Sequence, residues 1–294
     1  MKPIRVMTSN FELLTEIDQY QSAIEEVSFH GIGQLNLVIN RYMQDASLLQ
    51  RGVLLFLDTD NAYIIKSREI QLTEDGKASE NWSITALSLK SIFRQRLTYP
   101  PTGQSHDRIT NNAETVMKHY IEQNIVNPEK TGRIIPHVVI APNQNRGETI
   151  TWQLRNSVLS DELEMISLTT GLGWELTLDI ENQQWVFDVV EGEDRTTQQA
   201  SVPPVIFSPE FESIREMTYS ENEIDYRNVA IVGGQGEGVD REFVEVGNAT
   251  GLDRHEVFVD ARDVDNTDEL IERGKVALVE RSQDFFLEAQ IMTP

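Results

Sequence analysis

Apolar and polar residues alternate over most of the first hundred positions, which predicts β-structure. In residues 25–39 the alternation runs on both sides of a turn at Gly31 and Gly33. Its apolar positions are Val27, Phe29, Leu35, Leu37 and Ile39. Two apolar runs follow, at 52–58 and 62–72. After a turn at Asp75 and Gly76, a further strand is predicted through Trp82 and Ile84. Short strands at this spacing are typical of a barrel or sandwich rather than βαβ units. Residues 86–96 fit either a short helix or a closing strand.

The pattern changes to helical spacing in residues 110–200. A helix is predicted over 111–124, capped by Asn111 or Asn112, and a second over 156–174, ended by Gly171 or Gly173. The residues predicted to face inward are Val116, Tyr120, Ile121, Leu159, Leu163 and Ile166. A short strand at 137–142 and a hairpin over 174–190, turning at 181–183, complete a small α+β module. The segments 99–108, with Pro100 and Pro101, and 191–204 have the composition of linkers.

Residues beyond 205 return to β-patterning and end in a helix. Strands are predicted at 203–209, 228–234, 241–247 and 255–261, and a helix over 265–291 with Asn266 as its cap and Glu269 three residues on. Ile271, Leu278, Phe285 and Met292 repeat every seven residues. That stripe is more typical of a domain core than of a coiled coil, because Gly274 interrupts it.

The predicted fold class is therefore α+β and predominantly β. It comprises two β-barrel-like domains, 1–98 and 205–294, separated by an α+β insertion at 99–204. The second barrel-like domain carries the C-terminal helix.

Charge and composition limit the classes of partner that the protein is expected to bind. The 294 residues carry 48 acidic and 25 basic side chains, a net charge of −23. Residues 201–294 alone hold 21 acidic and 8 basic residues. Such a chain repels phosphate backbones and anionic membranes, so no stable nucleic-acid partner is expected. The acidity provides solubility, or it marks a surface for a basic partner or the negative wall of a lumen.

The same composition bears on the compartment. No apolar run has transmembrane length, and acidic residues interrupt the start of the chain where a secretory signal would be apolar. The absence of cysteine excludes disulfides and thiolate chemistry, and it suits a protein made in a reducing cytoplasm.

The stretch 229–242, VAIVGGQGEGVDRE, is the strongest candidate for chemistry. A dinucleotide fingerprint needs G-x-G-x-x-G before a helix, and a Walker loop needs Gly-Lys-Ser or Gly-Lys-Thr. Here Gly233, Gly234, Gly236 and Gly238 have neither spacing, and a strand pattern follows. Carboxylates in the loop would also repel phosphate. A turn or bulge between strands is the favoured interpretation.

The other candidate sites for chemistry have weaker sequence signals. Residues 58–62 and 260–268 resemble the start of a calcium loop, but both lack the required glycine, and the second also lacks the glutamate at the twelfth position. A calcium site of another kind and a solvated turn before a capped helix both remain open for 260–268. No two of the five histidines, at positions 30, 106, 119, 137 and 255, have zinc-ligand spacing. The sequence therefore predicts no catalytic, cofactor-binding or metal-ligating residue, and no enzyme.

Six stretches taken in order resemble the siphophage tail proteins of Gram-positive phages and prophages, of the baseplate-hub or tail-tip type. They are residues 30–42, 113–121, 169–189, 203–211, 226–242 and 251–263. The resemblance implies a hub in which three copies form a ring at the distal end of the tail tube. The resemblance further implies that this hub joins the tail tube to the host-contacting tip and that its acidic lumen lets DNA pass.

The resemblance also implies partners and a location. The expected partners are the tail tube or distal tail protein, the tape measure and the tip fibre. The expected location is the virion tail, assembled in the bacterial host cytoplasm. Members of this group continue past the last helix with strands that complete the second barrel, whereas these residues stop at EAQIMTP. An incomplete second barrel is therefore expected.

Two alternatives stay open at this stage. One is a tail-tip hydrolase that acts on cell-wall glycan through an unidentified acidic pair. The other is a module that binds a carbohydrate or a basic receptor, with Trp82, Trp152, Trp174 or Trp185 stacking on sugars, although such residues more often fill cores.

Overall fold

The computed structural model describes residues 3–57, 62–71, 76, 79–211, 213–282 and 284–291. The described chain is mostly β-structure with a smaller helical part. It forms two compact units, Met1–Glu191 and Gly192–Pro294. A separate domain for residues 99–204 stays a prediction.

The first unit begins with a seven-stranded antiparallel sheet, as the alternating pattern predicts. Its strands are β1 Ile4–Met7, β2 Leu13–Ile17, β3 Ser22–Glu26, β4 Gln34–Asn40, β5 Leu54–Phe56, β6 Ala62–Glu69 and β7 Asn81–Ser88. Their order is β2-β1-β5-β6-β7-β4-β3, and the sheet curls into a half-barrel. The concave core contains Ile4, Val6, Leu35, Leu37, Ile39, Leu55, Tyr63, Ile65, Ile84 and Ala86. Val27 and Phe29, predicted to continue the alternation, instead lie in the connection after β3 and are exposed.

The segment that fitted either a helix or a closing strand is helical. A 3₁₀ helix covers Leu89–Gln95 directly after β7. It buries Leu89, Ile92 and Phe93, so its apolar side chains close one end of the sheet instead of adding a strand.

The remainder of the first unit is the predicted α+β part. It contains β8 Asp107–Asn112, α1 Ala113–Ile121, a π-helical turn Glu122–Val126, β9 Val138–Ile140, β10 Thr149–Leu154, α2 Leu159–Thr170, β11 Gly173–Asp179 and β12 Gln184–Val190. Asn112 caps α1 by accepting from the Thr115 amide, and Gly171 ends α2 with a left-handed φ of 73°. The pairing of β8 with β10 has no local signal, because both strands are rich in polar residues.

The second unit contains a three-stranded and a two-stranded sheet. Its elements are β13 Ile214–Asn222, β14 Val229–Gly233, β15 Phe243–Val246, β16 Glu256–Asp260, α3 Thr267–Val279 and β17 Asp284–Ile291. β14 lies between antiparallel β15 and parallel β16, and α3 covers one face of this sheet. Gly274 lies in close contact with the sheet. A Cβ there would lie 2.5 Å from Val246 Cγ2.

Two sequence predictions for this unit are wrong. Residues 203–209 form no strand, and the helix predicted to reach residue 291 ends at Val279. Phe285 therefore lies in β17, which pairs with the unpredicted β13, while Met292 lies outside the described residues. A short apolar run fits both helix and strand spacing, and the pairing partner sixty-odd residues away decides between them.

Candidate functional site

The glycine stretch is a turn that its own arginine fills. Gly233 ends β14 and Gly234 follows it. The Gly233 carbonyl oxygen accepts from Arg241 Nη2 at 2.9 Å, and the Gly234 carbonyl oxygen accepts from Arg241 Nε at 3.0 Å. The Gly234 amide donates to the Glu242 carbonyl oxygen at 2.9 Å, and the Gln235 amide donates to the Val264 carbonyl oxygen at 3.0 Å. A 3₁₀ turn, Gly238–Asp240, and then strand β15 follow, and no α-helix begins here. The Gly234 and Gln235 amides are used within the fold, as the turn interpretation predicts.

A substitution at Gly236 tests the structural role of this turn directly. Gly236 has a φ of 103°, and a Cβ there would lie 2.5 Å from the Asp240 carbonyl oxygen. Gly236→Ala is expected to destabilise the second unit by about 1–3 kcal/mol. Hydrogen exchange of the β14 and β15 amides measures the change. Gly238→Asn is the matched control, because φ at Gly238 is 58°, a value that asparagine adopts, and nothing lies within 4 Å. Equal protection in both variants would contradict the structural role.

The acidic segment 260–268 leads into a capped helix. Asp260 forms ion pairs with Arg241 and Arg262, and Asp263 Oδ2 lies 3.3 Å from Arg273 Nη2. Asn266 Oδ1 accepts from the Asp268 and Glu269 amides at 2.9 and 3.3 Å. In the described part of the chain no three His, Asp or Glu side chains come together as a metal site. Residues 58–61 of the other candidate loop lie outside the described residues.

The five histidines lie apart and take separate partners. His30 Nδ1 lies 2.7 Å from Ser167 Oγ, and His119 Nε2 lies 2.9 Å from Asp107 Oδ1. The other partners are Ser105 Oγ for His106, the Gln183 carbonyl oxygen for His137 and the Tyr226 ring for His255. None shares a ligand geometry with another.

Three of the four tryptophans fill the interior of the first unit. Trp152, Trp174 and Trp185 are buried, and Trp174 packs against Phe93 and Phe187. Trp82 is half-buried, with the Arg68 guanidinium 4.1 Å from the centre of its ring. The three buried rings present no face on which a sugar could stack.

The sequence patterns gave no prediction of a buried cluster of charges around α1. Lys118 Nζ lies 2.7 Å from both Glu114 Oε1 and Asp188 Oδ1, and it donates to the carbonyl oxygens of Ala141 and Pro142 at 3.0 and 3.1 Å. Burial alone would raise the pKa of Glu114. The Lys118 ammonium and the backbone amides of Arg146 and Gln144 outweigh that cost and hold this pKa below its ordinary value. The spacing of Glu114 and Lys118, four residues apart on one helix, was the available signal.

A second buried cation, Lys90, joins the sheet to the α+β part. Its Nζ donates to the carbonyl oxygens of Ser28, Phe29 and Gly31 at 2.9, 3.2 and 2.8 Å, and it lies 4.5 Å from the centre of the Trp174 ring. A cavity of about 280 Å³ adjoins it, lined mainly by apolar side chains. All three N–H groups of the ammonium are already used, so the cavity offers a ligand no free cationic donor from Lys90.

Burial lowers the pKa of Lys90 from 10.5 to about 8, although Glu175 and Glu164 act in the opposite direction. The unfolded chain then binds more protons than the folded one between pH 8 and 10.5, so this lysine adds stability as the pH rises through that window. Between pH 7 and 9 the wild type is expected to gain roughly 1 kcal/mol relative to Lys90→Met. Urea unfolding followed by tryptophan fluorescence measures both proteins. A constant difference at the two pH values would contradict the buried, titrating ammonium.

A basic and apolar patch stands out on the first unit. This patch, called the basic surface, consists of Arg96, Leu97, Tyr99, Lys130, Arg133 and Ile134. Lys130 Nζ lies 4.1 Å and Arg133 Cζ 5.2 Å from the centre of the Tyr99 ring, and Arg96 Nε donates to the Arg133 carbonyl oxygen at 2.9 Å. Leu97, Tyr99 and Ile134 are 49%, 44% and 41% exposed. Residues 81–106, which supply half of it, contain no Asp or Glu, a signal that the sequence held.

The second unit carries a charge-balanced patch with two exposed aromatic rings on the sheet face away from α3. This patch, called the paired-charge surface, consists of Phe243, Glu245, Glu256, Phe258 and Asp260, whose carboxylates are paired with Arg241, Arg254 and Arg262. The Arg241 guanidinium lies 5.4 Å from the Phe243 ring and 5.6 Å from the Phe258 ring, and both rings are more than half exposed. Arg254 pairs with Glu245 and Glu256, and these two carboxylates hold the pKa of Arg254 above its ordinary value.

Comparison with known families identifies the class of protein. The model of the Siphovirus ReqiPepy6 Gp37-like protein family matches residues 3–293. The chain belongs to this siphovirus family. The resemblance to siphophage tail proteins is confirmed, while the Gram-positive host stays a prediction. No curated protein matches the chain significantly.

Two solved prophage proteins have a similar fold. The 43 kDa tail protein of prophage MuSo2 from Shewanella oneidensis is 9% identical over 99% of this chain and 83% of that chain, with a TM-score of 0.57. Prophage tail protein gp18 from Listeria monocytogenes EGD-e is 10% identical over 93% of this chain and 76% of that chain, with a TM-score of 0.50. At these identities the similarity shows a shared fold. The predicted α+β, predominantly β fold class is confirmed.

No helix among the described residues is both long and apolar enough to cross a bilayer.

Proposed function

We propose that this protein is a structural hub of a siphovirus tail tip or baseplate, in which three copies form a ring that joins the tail tube to the host-contacting tip. The hub works in the virion and assembles in the host cytoplasm. Its neighbours are the tube or distal tail protein, the tape measure and the tip fibre. The siphovirus family and the fold of prophage tail proteins support a place in the tail.

The observation that carries the ring is the open seven-stranded sheet. Strands β2 and β3 are its two edges, and no further strand pairs with either edge in the described part of the chain. Leu13 on β2 and Ile24 on β3 are both 61% exposed. An uncovered apolar edge strand is an aggregation site, and natural proteins cover such edges. Neighbouring subunits in a ring would cover these two edge strands.

The charge of the chain supports a passage for DNA. With 48 acidic against 25 basic residues, a ring lined by this chain would repel phosphates and leave the genome free to move.

The role is proposed to be structural and not enzymatic. Pure protein at micromolar concentration is therefore expected to leave a suspension of cell walls turbid. Clearing of the suspension would favour the tail-tip hydrolase instead.

The mass in solution tests the ring. Light scattering over a wide concentration range is expected to give three times the 33.5 kDa subunit, about 100 kDa. A mass of one subunit at all concentrations would contradict the trimeric hub.

A further inference from the structure

The three cations of the basic surface form no ion pair with any carboxylate in the part of the chain that the structure describes. Arg96 and Arg133 donate only to carbonyl and side-chain amide oxygens, and Lys130 Nζ donates to the Tyr99 hydroxyl oxygen at 2.9 Å. On the paired-charge surface, by contrast, each carboxylate has an arginine beside it. The basic surface is therefore a place where positive charge is left uncompensated in a chain of net charge −23.

The adjoining carboxylate, Glu129, does not supply the missing partner. Its two oxygens accept from the Thr102 amide and hydroxyl at 3.0 and 2.6 Å. These hydrogen bonds hold Glu129 to the preceding loop and use its acceptors, so the neighbouring cations keep their charge for another molecule.

The guanidiniums of Arg96 and Arg133 are close enough to repel each other. Burial, and then the charge of Arg96, lower the pKa of Arg133. Among the described residues no hydrogen-bond partner meets Arg96 Nη2 or Arg133 Nη1. An anion between them would relieve the repulsion and fill these donors, and a planar guanidinium matches a carboxylate in bidentate geometry.

Exposed apolar side chains beside the cations restrict the class of anion. Leu97, Tyr99 and Ile134 are 49%, 44% and 41% exposed. A phosphate polymer would neutralise the cations but leave these side chains in water, and beyond the patch it would meet an acidic chain. A short protein segment covers both, because interfaces combine apolar contacts with charge pairs, and charges beyond about 8 Å are screened at physiological ionic strength.

We propose that the basic surface binds a short acidic segment of another protein, with a carboxylate on the two guanidiniums and an apolar side chain against Leu97 and Ile134. The Tyr99 hydroxyl, whose oxygen accepts from Lys130, then donates its own O–H to a second carboxylate. The contact goes beyond the proposed ring, which is formed at the edges β2 and β3.

Fluorescence anisotropy with a synthetic peptide tests the contact. The probe is the fluorescein-labelled peptide DELFEDLE, and NQLFQNLQ, in which amides replace the carboxylates, is its matched control. The acidic peptide is expected to bind wild-type protein at least about tenfold more tightly than the amide peptide. Equal binding of the two peptides would overturn the proposal.

Two variants locate the site on the protein. Arg96→Gln with Lys130→Gln is expected to weaken binding of the acidic peptide at least about tenfold. It keeps Arg133, whose side chain holds the Leu97 carbonyl oxygen, so the local fold is expected to persist. Arg51→Gln with Arg262→Gln removes the same charge from two exposed positions elsewhere and is expected to stay within about twofold of wild type. An equal loss in both variants would overturn the proposal.

A third variant tests the apolar part of the contact without changing any charge. Ile134→Ser is expected to weaken binding about fivefold, because the partner's apolar side chain loses its contact. A fluorescein-labelled thymidine oligonucleotide is the competing probe. Binding of the oligonucleotide as tight as that of the peptide, with no effect of Ile134→Ser, would replace the protein segment by a phosphate polymer.

Light scattering separates this contact from the ring. Arg96→Gln with Lys130→Gln is expected to keep the mass of the wild type, and a fall in mass would show that the surface contacts a second copy and overturn the proposal. Specific peptide binding by a wild-type protein with the mass of one subunit would contradict the ring and still support this contact.

Discussion

Replacing Lys118 with methionine is expected to lower the free energy of unfolding of the first unit by about 3–5 kcal/mol. The substitution removes the ammonium that contacts Glu114, Asp188 and two backbone carbonyl oxygens, and it leaves the fully buried Glu114 without its closest cation. Removing one partner of a buried pair costs far more than the pair itself contributes, because the remaining charge stays desolvated. Urea unfolding followed by tryptophan fluorescence measures the loss, since all four tryptophans lie in this unit.

Two further variants define the origin of that loss. Glu114→Gln combined with Lys118→Met is expected to recover part of the stability, because it removes the charge left behind. Arg5→Met breaks the exposed pair with Glu16, whose two side chains are each about half exposed, and it is expected to cost less than 1 kcal/mol. An equal loss in Arg5→Met and Lys118→Met would contradict the buried-charge explanation.

Replacing Trp174 with alanine is expected to lower the free energy of unfolding by about 3–5 kcal/mol. The ring is buried, its Nε1–H donates to the His30 carbonyl oxygen, and it packs against Phe93, Phe187 and the Lys90 ammonium. Its loss would leave a cavity between the sheet and the α+β part. The same urea titration measures it through the three remaining tryptophans.

Trp82→Ala is the matched control for that prediction. Trp82 is half-buried at the edge of the sheet core, so the same change is expected to cost only about 1–2 kcal/mol. If Trp174→Ala kept full stability but lost binding to a glycan, the carbohydrate-binding alternative would replace the core role.

The starts of α1 and α3 and the end of α2 were predictable because local chemistry sets them. Asn112 and Asn266 cap α1 and α3 through side-chain oxygens that accept from amides within three residues, and Gly171 supplies the left-handed residue that ends α2. The alternation of Leu35, Leu37 and Ile39 likewise predicted the buried face of β4. The rejection of a phosphate loop at residues 233–238 rested on equally local facts: glycine spacing and missing lysine.

Pairing between distant segments was not predictable in the same way. β13 and β17 are separated by more than sixty residues, and neither sequence indicates its partner; β17 even fitted the heptad stripe of the preceding helix. The two exposed surfaces also depend on segments that are distant in the sequence. The basic surface joins residues 96–99 to 130–134, and the paired-charge surface joins β15 to β16 across β14.

By itself the sequence determined the class of fold, the acidic character, the helix caps and the resemblance to siphophage tail proteins. These properties depend on composition, spacing and contacts within a few residues. Only the tertiary structure decided that Lys90 and Lys118 are buried cations, that Arg241 fills the glycine turn, and that the basic surface and the paired-charge surface exist. Burial and long-range pairing are properties of segments brought together in space, and the free energy of a buried charge depends on the groups that surround it there.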